Sequence, residues 1–168
     1  MKRKLIISIL LILCLGVLKF YHHSHVEDQV VSKIYKKAPL TVVLDWIVTK
    51  PFELRVYYTT EQNESFNRKH SVKKSVTPKN DHVEVVLPTD KIYKFRIDFG
   101  SNPNEVTLKN VEIIADQYID FNDWYSYVYK NIEKNKVNKD DNTLMIVSSH
   151  QDPYMYWQEP FVLYKNTE

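Results

Sequence analysis

The chain reads as mainly β: an antiparallel β-sandwich with one amphipathic helix, preceded by an N-terminal hydrophobic helix. Three observations predict this. Apolar and polar residues alternate with a period of two through most of the chain beyond residue 40. Clusters of Pro, Asn and Asp cut that pattern into short segments. One stretch, 118–135, changes to a helical period.

The first segment, residues 1–21, opens with Lys2, Arg3 and Lys4 and continues as an apolar run of 14 residues, 5–18, relieved only by Ser8, Cys14 and Gly16. Basic residues ahead of an apolar run stay on the cytoplasmic side, so the remainder is expected outside. The length suits a signal peptide. Lys19 can snorkel, however, and Phe20 and Tyr21 suit an interface, which gives a thin spanning helix of about 17 residues. Nothing resembles an A-x-A cleavage signal, so the expectation is an uncleaved signal-anchor. A lipid-modified Cys14 would want a small residue before it, and Leu13 stands there; the thiol is expected only to fill the helix. The location implied is a bacterial-type cell membrane, single-pass, with the C-terminal domain outside the cytoplasm.

Charge depends on which part is counted. Of 23 Lys and Arg, four (Lys2, Arg3, Lys4 and Lys19) lie in 1–21, leaving 19 against 21 Asp and Glu. The exterior is therefore slightly acidic. A nucleic-acid binder needs excess cations to neutralise phosphates, so no nucleic-acid partner is expected. Cys14 is the one cysteine, so the exterior lacks an internal disulfide and relies on its core. About 130 residues suffice for one such core.

Residues 22–39 read as a tether with a short apolar phrase (Val30, Val31, Ile34, Tyr35) ended by Pro39. His22, His23 and His25 are expected to be solvated rather than metal-bound, having no supporting groups around them. Residues 40–168 read as the extracytoplasmic β-sandwich domain. Strands are expected at 40–47, 52–58, 68–76 (a lysine-rich edge), 82–87, 92–99 and 106–114, with turns at 78–81, 88–90 and 101–104. Gly16 and Gly100 are the only glycines, so turns must use Asn, Asp and Pro, and no glycine-rich phosphate cradle can be built.

In 118–135, Phe121, Trp124, Tyr125, Val128 and Ile132 share one helical face. Asp120 or Asn122 is placed as N-cap, and Lys130, Lys134 and Lys136 come late, where cations suit the helix dipole. After a solvated loop at 138–142, residues 143–149 read as a returning strand, followed by 150–157. A late strand is needed because a sheet would otherwise end on an open edge.

The phrase Phe95-Arg96-Ile97-Asp98-Phe99-Gly100, followed by Val106-Thr107-Leu108-Lys109-Asn110-Val111-Glu112-Ile113, resembles a recurring pattern in extracytoplasmic β-sandwich modules of bacterial membrane proteins. The strand 52–58 and Asp152-Pro153-Tyr154 look like further parts of it, so the likeness covers roughly 40–157. Such modules accompany glycosyltransferases and polymerases of cell-surface polysaccharides and are similar in shape to carbohydrate-binding jelly rolls. The resemblance implies a jelly-roll-like domain, a cell-envelope glycan ligand and a polysaccharide-synthesis membrane protein as partner. Those proteins usually carry a many-spanning catalytic portion, whereas this chain has one hydrophobic segment. The resemblance thus implies the accessory module alone, and no catalytic residue is carried over.

Chemistry-bearing residues are weighed accordingly. Ser148, Ser149 and His150 are adjacent without a nucleophile-elbow sequence, which argues against an acyl-transfer site. Asp98, Asp116, Asp120, Asp123 and Asp152 supply carboxylates, but a glycosidase needs two at a defined separation. Asp120, Asn122 and Asp123, or Asn80 with Asp81, offer hard oxygens for calcium; capping and turn roles explain them better. No catalytic residue, metal or cofactor is expected. Arg68, Lys69, His70, Lys73, Lys74 and Lys79 form a basic phrase whose simplest role is protecting an edge strand, with an anionic polymer or lipid headgroup as the alternative. Trp46 and Trp124 are assigned to the core. Tyr154, Tyr156 and Trp157, beside Gln151 and Asp152, are the candidate ligand-facing patch, against the competing reading of core packing. The functional expectation is a non-catalytic module that binds or organises envelope polysaccharide. Its rivals are a protein-interaction subunit of a membrane complex and an envelope hydrolase.

Overall fold

The computed structural model describes residues 39–101, 104–116, 118–148 and 152–165. The hydrophobic helix expected at 1–21, Cys14, His22, His23 and His25 lie outside these residues, as do Ser149, His150 and Gln151. Among the described residues no helix is long and apolar enough to cross a membrane.

Strands in chain order are β1 (Thr41–Val48), β2 (Phe52–Thr59), β3 (Ser71–Val76), β4 (His82–Val86), β5 (Lys91–Ile92), β6 (Lys94–Asp98), β7 (Asn104–Ile114), β8 (Tyr118–Asp120), β9 (Tyr127–Lys130), β10 (Lys134–Asn138), β11 (Thr143–Ser148), β12 (Tyr154–Trp157) and β13 (Leu163–Tyr164). The protein is mainly β, and its sheets are antiparallel. One sheet runs β10-β11-β7-β1-β4, with β8 also paired to β7; a second runs β3-β2-β6-β12-β9; β13 and β5 form a short ribbon.

Alternation explains why the sheets share a core. Val42, Leu44, Trp46 and Val48 of β1 belong to the same buried cluster as Leu54, Val56 and Tyr58 of β2 and Phe95 and Ile97 of β6. Trp46 meets Phe52 edge-to-face at 5.5 Å and donates its indole N–H to the Asn80 carbonyl at 2.8 Å. The ring is wholly buried with its one polar atom satisfied, and removing so large a core side chain typically costs about 3–5 kcal/mol. The assignment of Trp46 and Trp124 to the core holds: both are buried.

The amphipathic helix expected at 118–135 is not formed. That stretch instead contains β8, a 3-10 turn at Trp124–Ser126, β9 and the start of β10. The apparent helical face has a local cause. The single turn delivers Phe121, Trp124 and Tyr127 to the core three residues apart, after which Tyr127 to Lys130 run extended. Tyr125, expected on the apolar face, is 70% exposed. Neither Asp120 nor Asn122 caps a helix. Asp123 caps the 3-10 turn by accepting from the Tyr125 amide at 3.2 Å, while Asp120 accepts from the Asn122 amide at 2.7 Å. Lys130 and Lys136 lie on strands, as does the backbone of Lys134.

Two smaller differences concern edges. The lysine-rich segment begins with a 3-10 turn at Arg68–His70 before β3, which does lie at the edge of the second sheet. The single strand expected at 92–99 breaks at Tyr93 into β5 and β6, where the Tyr93 amide turns to the Thr59 carbonyl at 3.0 Å. Left-handed turn positions fall to Asn131, Asn142 and Asp152 (φ 54°, 51° and 54°) and to Gly100 (φ 80°). At Gly100 a Cβ would stand 3.2 Å from the Glu53 carbonyl oxygen, so both the conformation and the space there favour glycine.

The outer face of the first sheet carries a polar row. His82 Nδ1 lies 2.7 Å from Asp45 Oδ1, and its Nε2 lies 3.4 Å from Glu84 Oε1. Asn110 donates to Asp45 Oδ2 at 3.2 Å and also bonds Glu112. The Asp45 hydrogen bond, then that of Glu84, raises the His82 pKa above its ordinary 6.5. A raised imidazole contributes stability that is fully present below the ordinary value and is lost as pH rises through the folded value. Because His82 is half exposed, the contribution is small. Titration followed by NMR is expected to give His82 a pKa above 6.5 that returns toward 6.5 in Asp45→Asn. An unchanged pKa in the variant would contradict the pairing.

Candidate functional site

Strand register assembles a charged and aromatic floor on the second sheet, on the side turned from the core. Met155, Ile97 and Val56 point inward, so Tyr154, Tyr156, Arg96, Asp98, Tyr57 and Arg55 point outward. They pair in two rows. Tyr57 stands opposite Arg96, which stands opposite Tyr156; Arg55 stands opposite Asp98, which stands opposite Tyr154.

The floor is fixed by one ion pair. Arg96 donates from Nε to Asp98 Oδ1 at 2.5 Å and from Nη2 to Oδ2 at 2.7 Å. The side chains are only 20% and 10% exposed. The guanidinium carbon Cζ lies 3.6 Å from the Tyr154 ring centre and 4.8 Å from that of Tyr57. Burial pushes the Asp98 carboxyl above its ordinary range, and the Arg96 hydrogen bonds oppose that push. A bidentate pair of this burial is strongly held, since removing either partner strands a charge at about 3–5 kcal/mol. By contrast, Lys73 and Glu53 form an exposed pair at 2.7 Å that contributes little.

Two walls turn the floor into a cleft of about 860 Å³. The first is the loop between β2 and β3, which contributes Gln62, Asn63, Glu64, Ser65 and Phe66; the second is the segment after β12, Gln158 to Val162. Tyr93, Lys94, Arg96, Tyr154, Tyr156 and Trp157 complete the lining. Phe66 leans on Tyr156 with centroids 6.2 Å apart, and Phe161 fastens the second wall to the core through Phe121 at 5.2 Å.

Glu64 organises the first wall. Its carboxylate accepts from the Thr60 amide at 2.8 Å, the Thr60 hydroxyl at 3.3 Å and Asn67 Nδ2 at 2.8 Å, and lies 2.7 Å from His70 Nδ1. Partial burial pushes this carboxyl up, but the hydrogen bonds from Thr60, His70 and Asn67 outweigh it and hold the pKa below the ordinary value. His70 stacks on Tyr58 at 5.5 Å, and Asn67 caps the following 3-10 turn. The basic phrase therefore serves this loop at His70, while Lys73 and Lys74 are exposed on the edge strand.

Of the sequence-derived patch, Tyr154, Tyr156 and Trp157 line the cleft. Trp157 faces two ways: half-buried, it also packs edge-to-face on Phe121 and Tyr127, each at 5.0 Å. Asp152 does not line the cleft; it occupies an exposed left-handed turn whose carbonyl accepts from Asn131 at 3.2 Å. Gln151 is outside the described residues. Sequence reasoning missed both walls and the Arg96–Asp98 pair. The available signal was Arg-x-Asp on one strand, because residues two apart share a face. Asp120 and Asp123 make local hydrogen bonds, Asn122 accepts from the Val111 amide of β7 at 2.7 Å, and Asn80 closes a turn onto Thr77 at 2.9 Å. Among the described residues no three His, Cys, Asp or Glu are placed to hold a metal.

A depressed carboxylate contributes stability above its ordinary pKa and loses it as pH falls through the folded value. Glu64→Ala is expected to accelerate amide hydrogen exchange across 60–67 at neutral pH while leaving β6 and β12 protected. Acidification of the wild type should reproduce that loss, and equal protection in both proteins would remove Glu64 as the organiser. No family model, curated protein or solved structure matches the chain.

Proposed function

We propose that this chain is a membrane-tethered, non-catalytic extracytoplasmic module that binds or organises cell-envelope polysaccharide. In this reading it is a jelly-roll-like β-sandwich, anchored single-pass by residues 1–21, and it works beside a polysaccharide-synthesis membrane protein. The observation that carries the reading is the cleft itself: flat rings at Tyr154, Tyr156 and Trp157 surrounded by amide, hydroxyl and charged groups. Sugars present apolar C–H faces together with hydroxyls, so rings with polar neighbours complement them. Its size also fits the usual range of ligand clefts, roughly 300–1,000 Å³.

The engagement of the nearby carboxylates supports a non-catalytic role. Glu64 is held by donors from Thr60, Asn67 and His70, and Asp98 is bidentate to Arg96. A glycosidase needs two carboxyl groups free to exchange protons or attack, and the lining itself carries Glu64 and Glu159, with Asp98 beside it.

The test is retention of isolated envelope polysaccharide by the purified full-length chain. Tyr156→Ala is expected to weaken retention about tenfold, the magnitude of one lost stacking contact of roughly 1.4 kcal/mol, with circular dichroism unchanged. A folded protein that retains no envelope polymer, yet crosslinks to one dominant protein in membranes, would replace this reading with the interaction-subunit one.

A further inference from the structure

Resting on the glycan reading of the cleft, we infer that its ligand is an uncharged oligosaccharide rather than a phosphate- or uronate-bearing polymer. The charged side chains on the lining are two cations, Lys94 and Arg96, and two anions, Glu64 and Glu159. Their formal charges cancel, and just off the lining the Asp98 carboxylate stands between Arg96 and Arg55. An entering anion would gain from one side and lose to the other.

The group best suited to seize an anion already has one edge, and a counter-charge, committed to Asp98. An arginine recognises phosphate or carboxylate by presenting two parallel N–H bonds. In Arg96 the Nε/Nη2 edge is given to Asp98, whose carboxylate also matches its charge, and its Cζ lies 3.6 Å over the Tyr154 ring. The guanidinium is therefore a positioning group: it sets the plane of Tyr154, which in turn stacks with Tyr156 at 6.4 Å. Lys94 is drawn toward the Glu64 carbonyl at 3.5 Å. The basic phrase near β3, where an anionic polymer would find its partners, contributes nothing to the lining, since neither Arg68, Lys69, Lys73 nor Lys74 borders the cleft.

What the cleft offers is uncharged. Gln62, Asn63, Ser65 and Gln158 provide donors and acceptors for hydroxyl and acetamido groups, around rings that take a pyranose face.

The experiment titrates the full-length chain, held in a detergent without a sugar headgroup, with two neutral probes and two anionic ones. The neutral probes are hexamers of glucose and of N-acetylglucosamine; the anionic ones are a galacturonate hexamer and polyglycerol phosphate. The expected result is retention of a neutral probe, with affinity changing less than about threefold between roughly 0.05 and 0.5 M salt, because screening acts only on charged contacts. Preference for an anionic probe, with affinity falling steeply with salt, would overturn the charge assignment while leaving the glycan reading intact. Retention of no probe by the folded protein would overturn both. Asp98→Asn releases the Arg96 fork and is expected to gain affinity for galacturonate of about tenfold at low salt. No gain in a folded variant would contradict the role given to the pair, and the wild-type salt series decides the matter if the variant does not fold.

Discussion

A charge withdrawn from water has to be paired, and Asp98 is the place where that requirement governs this molecule. It sits on the outer face of a sheet, yet it is almost wholly buried. Burial raises the cost of its ionised form, and the hydrogen bonds and charge of Arg96, helped by the charge of Arg55, oppose that cost. The pairing fixes the guanidinium, the guanidinium fixes Tyr154, and Tyr154 with Tyr156 makes the cleft floor. An uncommitted arginine at this position would sweep the cleft as a mobile cation. Committed to Asp98, it acts as part of a rigid platform.

The walls use the same economy with different groups. Glu64 gathers Thr60, Asn67 and His70 into one loop, so hydrogen bonds shape the first wall, with Phe66 resting on Tyr156. The second wall is built the other way, by driving Phe161 into the aromatic core against Phe95 and Phe121. Away from the walls, in a glycine-poor sequence, Asn131, Asn142 and Asp152 take left-handed turns. Asn131 and Asp152, each left-handed, meet through a side-chain bond at 3.2 Å where β9 and β12 come together.

Much of the strand plan was legible, because one face of each strand is buried and the period of two survives in the residue order. Trp46 read as core for the same reason, and Trp124 as part of an expected helical face. The segment 118–135 misled because a single 3-10 turn places Phe121, Trp124 and Tyr127 at a spacing that imitates a helix. Residues Tyr127 to Lys130 then follow their β-propensity and tertiary pairing. The cleft was legible only in part. Tyr154, Tyr156 and Trp157 stood out as aromatics beside polar residues, but the walls come from positions nearly a hundred residues apart, brought together by β6 lying between β2 and β12. No local pattern encodes that order. Asp152 was chosen by proximity along the chain, and strand alternation with a left-handed turn carries it away from the cleft.

Mapping a neutral sugar onto the protein by NMR tests the account most directly. Titration of the full-length chain with an N-acetylglucosamine hexamer, followed by amide and aromatic chemical shifts, is predicted to perturb Phe66, Tyr154, Tyr156 and Gln158 together. The exposed lysines of β3 should stay unmoved. Perturbations concentrated at Lys73 and Lys74 with the cleft silent would contradict it, because binding would then run through surface charge and the Arg96–Asp98 floor would have no part in recognition.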